Sequence, residues 1–232
     1  MRTTTWNGAI VIMALTGMLG AEALGGQKAD RLPAPQVELA ADQNAKPGQA
    51  HVAVLAGGCF WCMDGVFRQL AGVTDVTSGY AGGTKETANY EAVCSHATNH
   101  AEAVRVTYDP TKITDGQLLW VFFSLHDPTT KDRQGNDVGR QYRSAVFYLD
   151  DDQKRVAEAY IKQLDATRIF PSPIVTTLEP LKPDAFYPAE DYHQNYAACH
   201  MGNPYVRFHA LPLMQKVREE FKDKVKPATT QP

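Results

Sequence analysis

The stretch Gly57-Gly58-Cys59-Phe60-Trp61-Cys62 marks a change of period, and that change constrains the fold more than any other feature of the chain. Before it, Val52-Ala53-Val54-Leu55-Ala56 is a continuous apolar run of strand length. After it, Met63, Val66, Phe67 and Leu70 recur at i, i+3, i+4 and i+7, which predicts a helix over 60–70. A second strand over 73–80 runs into the glycine turn Tyr80-Ala81-Gly82-Gly83. The chain therefore starts its fold with a β-α-β unit whose strand-to-helix junction carries a cysteine.

The pattern then repeats. Residues 101–108 alternate strongly and are closed by Asp109-Pro110. Thr114 and Gln117 have capping-box spacing and open a helix through Leu118, Leu119, Phe122 and Phe123. Residues 142–149 read as another strand. Asp150, Asp151 and Asp152 lead a helix carrying Val156, Tyr160, Ile161 and Leu164, acids being favoured on a first turn. A further strand over 174–178 and a C-terminal helix with Met214, Val217, Phe221 and Val225 on one stripe complete the order. The expected fold class is α+β, a two-layer sandwich with a mixed sheet on a split βαβ (ferredoxin-like) core.

Residues 50–225 are expected to form this one catalytic domain. Ahead of it, Arg2, the apolar run from Ala9 to Leu15 and the small residues through Ala21-Glu22-Ala23 predict a cleaved signal peptide over 1–23. An uncleaved membrane anchor is the weaker alternative, because the run is short and broken by glycine. Export to a periplasm, or secretion, follows from the signal reading. Residues 24–49 read as a linker and 226–232 as a disordered tail. A net charge of −3 with interspersed signs gives no nucleic-acid or membrane surface.

Cys59 is predicted at a helix N-terminus, where free N–H groups and the dipole favour the nucleophilic thiolate. The aromatics Phe60 and Trp61 follow it directly, which suits chemistry on a small apolar, sulfur- or methyl-bearing group. Alternation in 101–108 puts Glu102 on the face of Val104, Val106 and Tyr108. A carboxyl buried there without a cation partner stays protonated and can act as a general acid; a strand-end glutamate escaping to solvent is an equal alternative. Tyr90, Asp137, Tyr142 and the run Tyr192-His193-Gln194-Asn195-Tyr196 either line a site or satisfy buried hydrogen bonds. Cys94 reads as a small core residue. His96, His100, His193 and His200 lack the spacing of a zinc cage, so no metal is expected.

Gly58-Cys59-Phe60-Trp61 resembles the signature of the A-type peptide-methionine (S)-S-oxide reductases. The resemblance continues through Ser78-Gly79-Tyr80-Ala81-Gly82-Gly83, Tyr90-Glu91-Ala92-Val93-Cys94-Ser95 and His100-Ala101-Glu102. It extends to His126-Asp127-Pro128, Arg133-Gln134-Gly135-Asn136-Asp137, Gln141-Tyr142-Arg143-Ser144 and Tyr192-His193-Gln194. These ordered blocks are far more specific than the four-residue signature alone.

The resemblance implies that Cys59 attacks the sulfur of methionine-(S)-sulfoxide, free or in proteins, and becomes a sulfenic acid. It implies further that Glu102 protonates the departing oxygen, that Tyr90 and Tyr142 hydrogen-bond it, and that Phe60 and Trp61 hold the ε-methyl group. Asp137 helps orient the substrate. No cofactor or metal is implied, since electrons come from thiols through a thioredoxin-like reductant, and a monomer is expected.

Many relatives have glycine after Phe-Trp and recycling cysteines in a glycine-rich C-terminal tail. Here that position is Cys62, and Cys199 is the only late cysteine. Cys62, at Cys-x-x-Cys spacing, is favoured as the resolving cysteine over Cys199. The rival functions are an exported thioredoxin-like thiol–disulfide oxidoreductase, which has no use for Glu102, Tyr90 and Tyr142, and a secreted module that binds methionine side chains.

Overall fold

A sheet of six strands in the order β5-β4-β1-β3-β2-β6 organises the protein, whose computed structural model describes residues 31–227. The strands are β1 (His51–Gly57), β2 (Val73–Ala81), β3 (Ala101–Tyr108), β4 (Ser144–Tyr148), β5 (Thr177–Pro180) and β6 (Tyr187–Pro188). The β4–β5 pair is parallel and every other neighbouring pair antiparallel, so the sheet is mixed, as expected for this α+β fold. The signal-peptide reading of 1–23 and the last residues of the expected tail lie outside the described residues.

The α-helices longer than a single turn among the described residues are α1 (Phe60–Phe67), α2 (Tyr90–Cys94), α3 (Asp115–Leu125), α4 (Asp151–Thr167) and α5 (Leu211–Glu220). Period-two alternation sorts the strands by face. Leu55, Val104, Val106, Tyr108 and Val146 share a core with Met63, Val66, Phe122, Val156, Tyr160 and Val217 from the helices. Val54, Ala56, Ala103, Ala145 and Phe147 face the other way, beneath Leu181 and Phe186. The capping box forms as its spacing predicts: Gln117 N–H donates to Thr114 Oγ1 at 3.2 Å, and Thr114 N–H donates to Gln117 Oε1 at 3.4 Å. Helix α1 stops at Phe67, three residues short of expectation, as the chain turns through Gly72 at a φ of +94°. The strand expected from 142 begins at Ser144, because Arg140–Tyr142 is a 3-10 turn.

The linker expectation fails for residues 31–42, which are packed against the domain. Leu32 and Leu39 are buried in the main core. Trp120 Nε1–H donates to the Leu32 carbonyl at 2.7 Å, and the Tyr160 hydroxyl donates to that of Pro33 at 2.9 Å. The acids of this strap serve the N-terminus of α3: Asp115 N–H donates to Asp42 at 2.6 Å and Gly116 N–H to Glu38 at 3.1 Å. Those N–H groups have no partner within the helix, and carboxylates also suit its dipole. At the other end, Lys226 N–H donates to the Gln69 carbonyl at 2.7 Å, so order extends past the tail boundary set at 226. Leu39→Ala is expected to lower the unfolding free energy by about 2–4 kcal/mol, the cost of emptying a core site. Urea unfolding checks this; a change below about 0.5 kcal/mol would restore the tether reading.

Candidate active site

The site is built where β1 hands over to α1. Gly57 and Gly58 are both required there. A Cβ at 57 would lie 2.9 Å from the Phe122 ring, and Gly58 has a φ of +99°, with Gln134 2.7 Å from its Cβ position. Cys59 is the N-cap of α1, in extended conformation, and its carbonyl accepts from Cys62 N–H at 3.1 Å. The next N–H of the helix, that of Phe60, donates to Glu102 Oε2 at 3.1 Å. Glu102 is 2 % exposed, on the helix-covered face of β3. Of the two alternatives its alternation allowed, the buried one is realised, and strand and helix together bring carboxyl and thiol side by side.

Burial pushes the Glu102 carboxyl well above the ordinary carboxylate range, and the neighbouring Cys59 adds to the shift; the Phe60 N–H opposes it. Burial likewise raises the Cys59 thiol well above its ordinary value, reinforced by Cys62 and opposed by Tyr205. Burial thus favours the uncharged form of both groups. The helix N-terminus, expected to favour the thiolate, acts against burial here: the first N–H of the helix is committed to Glu102, while that of Trp61 lowers the Cys59 thiol.

The other expected residues gather around this pair. The Cys62 thiol lies beside Cys59 on the wall of the same cavity, and both are unpaired and buried. Cys199 is exposed, at the end of a single helical turn over Tyr196–Cys199. Tyr142 lies near the pair: burial raises its hydroxyl, and the proximity of Glu102 and Cys59 adds to the shift. Burial also raises the half-buried Tyr90 hydroxyl, with Cys94 as its hydrogen-bonding neighbour, so Cys94 borders the site. Asp137 sits on a short ribbon, Arg133–Gln134 paired with Asp137–Val138, and accepts from the Tyr205 hydroxyl.

The two aromatics take different positions. Phe60 is fully buried between Tyr80 and His193, beneath the site. Trp61 is half-buried and held on three sides: stacked on Tyr196 at 3.8 Å, edge-on to Tyr205, and donating Nε1–H to His193 Nδ1 at 3.1 Å. A cavity of about 250 Å³ opens beside Cys59 and Cys62, with Asp137, Tyr205, Phe208 and Leu213 in its walls. Among the described residues, no three His, Cys, Asp or Glu side chains converge as a metal-ligand set.

Tyr205 and Glu190 are the participants that sequence reasoning missed. Tyr205 touches Asp137 and Trp61 and lines the cavity beside Cys59. Glu190 accepts from the Tyr80 hydroxyl and the Tyr90 N–H, both at 2.9 Å. The signal for Tyr205 was a tyrosine directly after an Asn-Pro turn, beyond the run from Tyr192 to Tyr196. Glu190 gives none, because an acid in a polar segment reads as solvated.

A family profile described as peptide methionine sulfoxide reductase matches residues 51–225. The chain is 46% identical over 196 residues to peptide methionine sulfoxide reductase MsrA 2 of Synechocystis, covering 84% of this chain and 90% of that protein. It is 51% identical over 170 residues to peptide methionine sulfoxide reductase MsrA of Picrophilus torridus, covering 73% and 94%. Among solved structures it resembles reduced Mxr1 of Saccharomyces cerevisiae, with a TM-score of 0.63 at 32% identity over 71% of this chain and 93% of that one. It also resembles methionine sulfoxide reductase A of Corynebacterium diphtheriae, with a TM-score of 0.57 at 35% identity, covering 69% and 77%.

Proposed function

The chain belongs to the peptide methionine sulfoxide reductase family, and from that membership we propose how its site residues divide the reduction of methionine sulfoxide. Cys59 sulfur attacks the sulfoxide sulfur while Glu102 gives its proton to the sulfoxide oxygen. The Cys59 thiol proton replaces it on Glu102; the oxygen then passes from the substrate sulfur to the Cys59 sulfur as the substrate's sulfur–oxygen bond and the transient bond between the two sulfurs break, and methionine leaves. Cys59 retains the oxygen as a sulfenic acid. One observation carries this reading: Glu102, bonded through Oε2 to Phe60 N–H, is a buried carboxyl beside the nucleophile, and burial favours its protonated form. Tyr90 and Tyr142 stabilise the oxygen, Asp137 orients the substrate, and Trp61 with the edge of Phe60 encloses the methyl group.

Cys62 then attacks the Cys59 sulfenic sulfur, forming a disulfide and releasing water. A thioredoxin-like dithiol reduces that disulfide. The place of Cys62 beside Cys59 on one cavity wall supports it over the exposed Cys199. Preference for the S epimer, action as a monomer and repair of exported proteins belong to the same proposal; export is supported by the pattern of residues 1–23 alone. The strand order β4-β1-β3-β2, with α1 and α3 as crossovers, supports assigning the central strands to a split βαβ, ferredoxin-like core. The thioredoxin-like alternative is set aside, because it leaves Glu102, Tyr90 and Tyr142 without a task.

Turnover of peptides carrying the S or the R sulfoxide, with dithiothreitol as reductant, tests the reaction; only the S epimer should be consumed. Thiol counting tests the recycling. One equivalent of sulfoxide should take the protein from four free thiols to two. Cys62→Ser should still release one methionine per chain but stall as a sulfenic acid that dimedone traps, while Cys199→Ser should match the wild type. The reverse pattern would transfer the resolving role to Cys199.

A further inference from the structure

His193 is 1 % exposed and lies where three elements meet at the site. Its ring centroid is 4.9 Å from that of Phe60 and 5.7 Å from that of Trp61, both on α1. It is 4.6 Å from Tyr90 on α2 and 4.1 Å from Tyr192 on its own turn. The reaction described above gives it no task.

One hydrogen bond fixes its chemistry. An indole N–H can only donate, so the 3.1 Å contact with Trp61 Nε1 makes His193 Nδ1 the acceptor. The imidazole is then neutral, with its proton on Nε2. That Nε2 is buried and has no hydrogen-bond partner; the nearest acid, Glu190 Oε2, is 3.8 Å away. A buried donor left unpaired is costly and calls for an explanation. Here the tautomer that leaves Nε2 unpaired is the one that frees Nδ1 to receive Trp61.

We propose that His193 is the positioning residue of the methyl pocket, its Nδ1 holding the Trp61 indole in the orientation that walls the substrate. The inference rests on the reading of Trp61 as that wall. Stacking on Tyr196 fixes the plane of the indole but leaves it free to slide; the Nε1–H···Nδ1 bond fixes its place within that plane. Protonation of His193 would put a second donor against the indole N–H and release it. Burial lowers the pKa of the ring, and Glu190, the charged group facing it, opposes that shift in part; the remaining faces are aromatic. The pocket therefore stays formed through neutral pH and opens only below the ordinary histidine range.

Steady-state kinetics on a methionine-(S)-sulfoxide peptide, with dithiothreitol, test this in Trp61→Ala, His193→Phe and His193→Gln. His193→Phe, which keeps the ring but removes the acceptor, should raise KM about tenfold, with kcat within about twofold. His193→Gln, whose side-chain oxygen can accept from Trp61, should bring KM back to within about threefold of wild type. Between about pH 8 and pH 5 the wild-type KM should rise, while that of His193→Gln stays flat. If Trp61→Ala raises KM and His193→Phe does not, the inference falls and the methyl-wall reading stands. If Trp61→Ala leaves KM unchanged, that reading falls and the inference with it. Should His193→Phe fail to fold, an acid rise that persists in His193→Gln overturns the inference on its own.

Discussion

Cys59→Ser is expected to abolish turnover, lowering kcat by at least about 10⁴-fold, the scale of losing an essential nucleophile. The reason goes beyond nucleophilicity. Reduction of a sulfoxide needs an atom that accepts oxygen and is itself oxidised, and a thiol does so on becoming a sulfenic acid. A serine hydroxyl has no such oxidation step; taking the oxygen would require a weak O–O bond. Phe60, Trp61 and Asp137 are untouched by the change, so binding of a sulfoxide peptide should survive. A stopped assay for methionine release, paired with peptide binding by calorimetry, separates the two effects. Residual turnover above about 1% of wild type would remove Cys59 from the nucleophile's role.

Glu102→Gln should cost about 10²–10⁴-fold in kcat, the range spanned by positioned general acids. Its amide oxygen can still accept from Phe60 N–H, so the geometry at the helix N-terminus is retained while the transferable proton is lost. The pH dependence has a definite sign. Burial raises the Glu102 carboxyl, so the acid is in place below its folded-state pKa and lost as pH climbs through it. A falling alkaline limb in kcat is expected for the wild type and should be absent from the glutamine variant.

Stability should move the opposite way. With the folded pKa raised, Glu102 carries no penalty while it is protonated in both states. A penalty grows as pH rises from the unfolded pKa to the folded one and levels off above. Glu102→Gln should then melt higher than wild type at neutral pH while turning over far more slowly. A variant that is both slower and less stable would instead indicate a structural role for the carboxyl.

Parts of this architecture were written locally in the chain. The change of period at Gly57-Gly58, the capping box at Thr114 and the alternation around Glu102 each depend on neighbours within a few residues, and each appears where the pattern put it. The strap over 31–42 was not legible. Leu32 and Leu39 are isolated in a polar stretch, and the groups that receive that stretch, on Trp120, Tyr160 and Asp115, are about a hundred positions away. The protonation state of Cys59 escaped for a related reason. A dipole can be inferred from a helix start, but desolvation depends on everything packed around the sulfur. Tyr205 joined the site through Asp137, a contact between two turns that no periodicity connects.

The hydrogen bond from Phe60 N–H to Glu102 gives the site the character of a capacitor. Burial favours the uncharged thiol and the uncharged acid, the forms in which the buried pair stores no charge. In the proposed reaction, when the acid releases its proton, the negative charge is spread over a carboxylate one of whose oxygens is already met by a backbone donor at the positive end of a helix. The thiol proton then discharges it, and a turnover ends with as many protons in the pocket as it began with. Helix α1 thus carries the nucleophile at its cap and the counter-dipole for the acid one residue later, so charge is separated only briefly and over a single turn of backbone.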